Sequence, residues 1–365
     1  MSLFSIKHLK KDKTSRNEKI YVNTVITGKG PYTILLWERL FQTKSRDDLL
    51  FVSRDHLTKY DLYPWGPSPL RGEANISYYN SLFTPQSESA ETGKTVFYKD
   101  LAFREFSGRY KPEPLLFNES FYTQKSGLPD YDKIFPYRTS EDFLTLLNEL
   151  VCTELIAKIE KLAMDNSLTN EKRWLVTFAS GNQVECENLV WGSPIFELFE
   201  VMDAALLFDL NFIEFYNNMK EVSSLYMQFE VSPAASSNLD TFFIPLSYTH
   251  EWGHFVGEFK ESRVELVHFL NREDVNEDEI AKRIKICKRS FEKIFPQNKI
   301  IETTEFIYFD SESPILNIVD NSNYKYEDRL FLVGINAPLP EENNPLSNMA
   351  RALASVKNVG NFLGV

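Results

Sequence analysis

At 365 residues, with 43% hydrophobic and 14% aromatic side chains, the chain is long enough for two packed domains and too apolar for general disorder. A formal net charge of −12 argues against a broad electrostatic footprint for nucleic acid or anionic membrane. No stretch approaches the roughly 18 apolar residues of a membrane-spanning helix, so no membrane span is expected.

The first 19 residues gather Lys10, Lys11, Lys13 and Arg16 without an apolar stripe and read as a solvated arm. Ile20 to Thr27 is then a β-branched run, broken by Gly28-Lys29-Gly30-Pro31. Tyr32 to Gln42 places Ile34, Leu35, Trp37 and Leu40 at helical spacing, and Leu49 to Ser53 returns to strand. Strand, glycine turn, helix and strand in that order are the opening of a dinucleotide-binding unit.

From Asp55 to Pro136 the pattern is irregular and aromatic, with short strands expected at Thr95 to Tyr98 and Ala102 to Phe106. Ser140 caps an amphipathic helix carrying Phe143, Leu146, Leu147 and Leu150 on one face, with a strand after it. Arg173 to Phe178, a Ser180-Gly181-Asn182 turn, Val184 to Cys186 and Leu189 to Trp191 form a hairpin feeding a buried strand. Ile195 to Phe212 reads as helix; Ser223 to Val231, Asp240 to Ser247 and Trp252 to Glu258 read as sheet. Asn276 to Phe295 is a charged amphipathic helix, and the chain closes on strand Leu330 to Val333 and helix Ser347 to Phe362.

Four blocks of this order resemble the FAD-dependent amine-oxidase and protoporphyrinogen-oxidase-like superfamily. Gly28 and Gly30 match the first two glycines of its G-x-G-x-x-G turn, with Pro31 and Tyr32 between and Thr33 at the third glycine position. Trp174 to Pro194 is similar to its hairpin and returning strand, Asn276 to Pro296 to the helix after its substrate-domain sheet, and Arg329 to Ala337 with Asn348 to Val359 to its closing strand, turn and helix. The resemblance implies an α/β fold: a Rossmann-like FAD/NAD(P)-binding domain over residues 20–72, 137–200 and 325–365, and an inserted α+β domain over 73–136 and 201–324.

It also implies FAD as cofactor, a small-molecule substrate, and cofactor contacts at Gly28, Gly30, Pro31, Thr33, Ser53, Arg54, Gly66, Gly192, Gly334 and Asn336. The motifs depart from the family at specific places. Ser53 stands where an acidic residue accepts the ribose hydroxyls, and Asp55 substitutes only if the strand end shifts. Tyr63-Pro64-Trp65-Gly66-Pro67 replaces a double-glycine stretch, and Ile335 and Asn336 follow Gly334 where an acidic residue is usual. A cofactor-free binding or scaffold protein on the same fold is the alternative these departures raise.

A different chemistry is spelled by His250-Glu251-Trp252-Gly253-His254, which satisfies H-E-x-x-H, the zinc-protease pattern in which two histidines on one helical face share a metal. Lys260 occupies the third-ligand position of the extended motif, leaving a later acid such as Glu273 or Glu277 to complete a site. The runs on either side alternate as strands, and on a strand the two histidines lie about 13 Å apart, too far for one ion. No metal is therefore expected, with a zinc metalloprotease kept as a further alternative, and His250 and Lys260 are the polar groups near the sheet that the resemblance would turn toward the flavin. Gly192-Ser193-Pro194 lacks the second glycine of a nucleophile elbow, and His268 is expected to pack in the sheet.

Cys152, Cys186 and Cys287 are odd in number, widely spaced and set in apolar or amphipathic runs. That pattern forms neither a disulfide framework nor a metal site and suits a reducing, cytoplasmic compartment.

Overall fold

The computed structural model describes residues 19–62, 64, 70–71, 76–77, 92–105, 126–127, 134–137, 139–162, 173–193, 195–203, 221–234, 240–245, 254–260, 262–270, 275–311, 329–334 and 348–365. The chain opens with strand β1 (Lys19–Thr27), helix α1 (Pro31–Thr43) and strand β2 (Leu49–Val52). β1 and β2 pair in parallel, with Thr27 opposite Val52. A second parallel partner of β1 comes from much later in the chain: β10 (Gln183–Trp191) runs beside it from Lys19↔Gln183 to Thr27↔Trp191. The closing strand β16 (Leu330–Leu332) then lies parallel to the upper end of β10.

On the far side of β2, Cys152 bridges Val52 in parallel; its N–H donates to Phe51 O at 2.8 Å, and its carbonyl accepts from Ser53 N at 3.0 Å. The parallel order is therefore the Cys152 segment, β2, β1, β10 and β16, which is the third-second-first-fourth-fifth order of the dinucleotide-binding fold. The antiparallel strands β8 (Ile156–Lys161) and β9 (Trp174–Phe178) continue the sheet from the lower half of β10.

Strand alternation gives this sheet two apolar faces. Ile26, Phe51, Val190 and Phe331 point into a core shared with α1 and with α5 (Asn348–Leu363), the closing helix. Val25, Leu50, Val52 and Leu189 point into the opposite core, with Leu198 of the short helix α3 (Ile195–Val201). A sheet covered on both faces reads as near-continuous hydrophobic strands, and the burial of the last four residues of β1 follows that rule. α2 (Glu141–Leu150) is capped as expected: Ser140 Oγ accepts from Phe143 N at 3.1 Å.

A second sheet has seven strands, in the order β15 (Lys299–Ser311), β11 (Glu221–Ser232), β14 (Arg263–Leu270), β13 (His254–Lys260), β12 (Thr241–Pro245), β5 (Thr95–Lys99) and β6 (Ala102–Glu105). The amphipathic helix α4 (Glu277–Ile294) covers one face, burying Phe291, Phe295 and Cys287 against Phe229, Phe242 and Phe255. Aromatic rings fill this layer, with those of Phe229 and Phe291 edge to face at 5.4 Å. Short strands β3 (Leu70–Arg71), β4 (Thr92–Gly93) and β7 (Ser126–Gly127) make a third, small sheet.

Two expectations are corrected. The helix from Ile195 ends at Val201, and Met202 bridges Ile159. The pieces 184–186 and 189–191 are one nine-residue strand, because buried Asn188 satisfies its amide within the ladder, donating to Asn23 O at 3.3 Å and Asn23 Oδ1 at 3.2 Å. All three cysteines are free and buried, and burial pushes each thiol up, so each stays in its protonated, unreactive form. Among the described residues, no helix is long and apolar enough to cross a membrane.

Candidate dinucleotide site

The carboxyl ends of β1, β2, β10 and β16 converge where the sheet order reverses, the place where open α/β sheets hold ligands. Gly28 leaves β1 at φ +114, a conformation L side chains rarely adopt, and donates its N–H to Val52 O at 3.0 Å. Its missing side chain matters as much as its φ. A Cβ there would lie 2.6 Å from the carbonyl carbon of Gly192 and 2.8 Å from Ser193 N.

Gly30 is the N-cap of α1 and Pro31 follows at the start of the helix. No side chain caps this end and no acidic residue sits in the first turn. Among the described residues, none but its chain neighbours comes within 4 Å of the Cβ position of Gly30. The leading N–H groups of an uncapped helix and its dipole both favour negative charge at this end.

Thr33, at the third glycine position, is accommodated by a change elsewhere. A Cβ on Gly192 would meet Thr33 Oγ1 at 2.0 Å and Thr27 O at 2.9 Å, so the space lost at Thr33 is returned at Gly192, the residue after β10. Gly192 also donates its N–H to Thr27 O at 2.9 Å, locking the ends of β1 and β10 together. Gly192→Ala is expected to lower stability by about 1–3 kcal/mol through this overpacking, and Thr33→Ala to relieve only part of it because the Thr27 carbonyl remains. Thermal melts of the single and double variants measure this; equal melting points for wild type and Gly192→Ala would contradict it.

The closing turn is held from beneath. Gly334, at φ +103, donates its N–H to Ser355 Oγ at 3.1 Å, while that hydroxyl donates to Ala352 O at 2.6 Å. Ser355 is fully buried in α5 and was not foreseen from the sequence, where a helical serine carries no signal of its own. Gly66 and Asn336 lie outside the described residues.

The end of β2 does not shift. Ser53 keeps the position of the expected carboxylate; it is 2% exposed, and its Oγ has no hydrogen-bond partner among the described residues. Arg54 and Asp55 are exposed, and Asp55 lies 3.7 Å from Lys29 Nζ rather than at the ribose position. Asp61 turns into its own short helix, accepting from Thr58 N at 2.8 Å and Thr58 Oγ1 at 2.9 Å, although burial pushes its carboxyl up. Burial also pushes the Glu197 carboxyl up, opposed by Arg54, by a hydrogen bond from Ser193 and by Lys29. The pyrophosphate of a dinucleotide fits the glycine turn, whereas a free ribose diol finds a single serine where the fold's usual carboxylate would be.

The face of the second sheet opposite α4 carries a smaller buried apolar cluster. Phe97, Phe243, Val256, Val267 and Tyr226 form one row in register across five strands. In the adjoining row Glu258 stands opposite Glu265, and Glu265 opposite Gln228. Lys260 Nζ lies 2.6 Å from Glu265, and Thr241 Oγ1 donates to Glu258 at 2.5 Å. Tyr60, shortly after β2, brings its hydroxyl to 3.5 Å from Thr304 Oγ1 of β15.

The zinc pattern is not built as a helix from His254 onward. His254 opens β13 opposite Pro245, in an extended segment; His250 to Gly253 lie outside the described residues. Lys260 is engaged by Glu265, and among the described residues no cluster of three metal-ligating side chains occurs. His268 packs in the sheet as expected, 4.7 Å from the Phe255 ring and 3.0 Å from Arg283 Nη1.

No family model and no curated protein matches this chain. Among solved structures it is similar to a geranylgeranyl bacteriochlorophyll reductase-like protein of Thermoplasma acidophilum, with 11% identity, TM-score 0.47, and 95% of this chain and 79% of that one covered. An FAD dependent oxidoreductase of Pseudomonas aeruginosa gives 12% identity and TM-score 0.44 over 95% and 90% of the two chains. A redesigned putrescine oxidase gives 10% identity and TM-score 0.49 over 94% and 98%. Scores below 0.5 add no weight, so the assignment of an α/β dinucleotide-binding-type fold rests on the strand order and glycine turn themselves.

Proposed function

We propose that this chain is an oxidoreductase-like protein of the FAD/NAD(P)-binding type, holding a dinucleotide by its pyrophosphate at the N-terminus of α1. The observation that carries the reading is the uncapped α1 N-terminus at Gly30, open to approach and set at the reversal point of a parallel sheet. Gly28, Gly30, Pro31, Thr33, Gly192 and Gly334 would line the phosphate end, with Ser53 and Arg54 at the ribose. Residues 20–72, 137–200 and 325–365 would form the cofactor domain, and 73–136 with 201–324 the inserted substrate-type domain, in the manner of amine-oxidase and protoporphyrinogen-oxidase-like proteins.

A flavin, when bound, supplies a hydride acceptor. The protein's share would be orientation and exclusion of water, with the apolar row of Phe97, Phe243, Val256, Val267 and Tyr226 backing the substrate side. A cofactor-free scaffold is the second reading, favoured by Ser53 in place of the ribose-binding carboxylate.

Calorimetric titration of the purified full chain with ADP and with FAD distinguishes the two. Saturable binding of ADP is expected from the phosphate site. Absence of binding by both ligands would favour the scaffold and overturn the dinucleotide reading.

A further inference from the structure

We propose that Ser355 is a positioning residue for the dinucleotide: by holding the closing turn at Gly334, it shapes the bed for the half of the ligand beyond the pyrophosphate. The inference rests on the dinucleotide reading above and adds to that site a residue of the closing helix.

Strand order places the two halves of such a ligand. β1 and β16 both run parallel to β10, one on either side of it, so Gly30 and Gly334 stand over the carboxyl edge of the sheet two strand spacings apart, about 10 Å. Between them the edge is closed, since Gly192 donates its N–H to Thr27 O at 2.9 Å and its backbone fills the Cβ position of Gly28. A dinucleotide anchored at Gly30 has one half to lay toward β2 and the other over Gly192 toward β16. The closing turn is what that second half meets.

Gly334 is shaped for close approach. At φ +103 it holds a backbone that other residues adopt only with strain, and among the described residues none but its chain neighbours comes within 4 Å of a Cβ built there. Its N–H is not offered to a ligand, because Ser355 Oγ accepts it at 3.1 Å. The turn therefore contributes its shape, and that shape is fixed from α5.

The hydroxyl of Ser355 is not needed for packing. Ala352, Leu353, Ala354 and Val356 around it in α5 are at most 2% exposed, and an alanine at 355 would suit the same layer. Alanine is also the better helix former. A hydroxyl buried there needs partners, and it has two: it donates to Ala352 O at 2.6 Å within its own helix, and it accepts from Gly334 N, 21 residues away. Of the two bonds, only the second reaches another element, and what it fixes is the place of one backbone amide at the ligand edge of the sheet.

The test is calorimetric titration of the full chain with ADP, which ends at the pyrophosphate, and with FAD, which continues beyond it. Ser355→Ala is expected to leave ADP affinity unchanged and to weaken FAD about tenfold, the loss that accompanies one displaced contact. A serine with a structural role alone would lower the melting temperature and leave the ratio of FAD to ADP affinity where it was. Ser355→Cys, with a weaker acceptor of similar shape, should fall between wild type and Ser355→Ala, and serves if Ser355→Ala does not fold. A ratio in the variants equal to that of wild type or higher, or a wild type that binds ADP without FAD, overturns this inference and leaves the site at α1 standing. Failure of the wild type to bind either ligand overturns both.

Discussion

Replacing Gly30 with aspartate is expected to leave the chain folded, and slightly more stable, while weakening nucleotide binding at least roughly tenfold, about 1.4 kcal/mol. The two halves of that result have separate causes. Gly30 sits at φ −80 and ψ 159, a backbone any residue adopts, and among the described residues none but its chain neighbours lies within 4 Å of its Cβ position. Aspartate is among the best N-cap residues, a few tenths of a kcal/mol better than glycine, because its carboxylate accepts from the first-turn N–H groups. Those are the groups a pyrophosphate would use. A melting curve and an ADP titration on the same preparation check both halves; unchanged ADP affinity would show that the α1 N-terminus is not the binding site.

Gly28→Ala is expected to behave in the opposite way, losing the fold's stability before any ligand is considered. At φ +114 an L-residue is strained, and the added carbon would meet backbone atoms of Gly192 and Ser193 at 2.6 and 2.8 Å. Backbone cannot swing aside as a side chain can. Strain and overlap together should cost about 3 kcal/mol or more. Denaturant unfolding measures it, and a loss below about 1 kcal/mol would contradict the described contact between the ends of β1 and β10. The contrast between positions 28 and 30, two residues apart in one turn, separates a glycine required by packing from one left free for a ligand.

The parts of this fold legible in the sequence are those whose signals are local. Ile20 to Thr27 is β-branched, the glycine turn follows at once, and Pro31 with the spacing of Ile34, Leu35 and Trp37 announces α1. Ser140 and Asn276 each precede a helix by one residue and cap it, Asn276 Oδ1 accepting from Glu279 N at 2.9 Å. β15 escaped notice for a physical reason. It is an edge strand whose register shifts opposite Glu230 and Val231, so Ile301 is 69% exposed beside the inward Ile300, and Glu302 and Glu305 interrupt the apolar alternation. The Cys152 segment escaped because it contributes a single bridge to the sheet.

Within the site, Gly28, Gly30 and Gly334 stand out as punctuation between strand and helix. The relation of Thr33 to Gly192 does not, since a missing glycine is offset at a residue far along the chain and only register brings the two together. Nor does Ser355 under Gly334, or Glu197 facing Arg54. Each depends on which helix lands over which strand end, and that is decided by the packing of α3 and α5 on opposite faces of the sheet. The string from His250 to His254 shows the converse, a conspicuous local motif whose second histidine begins a strand.

The central claim is that the turn between β1 and α1 is a phosphate receptor, and amide NMR of the full chain titrated with ADP tests it most directly. The largest shifts are expected at Gly28, Gly30, Tyr32 and Thr33, with smaller ones at Gly192 and Gly334 across the sheet ends. Saturating ADP that leaves those amides unmoved, or moves a different surface instead, would contradict the account.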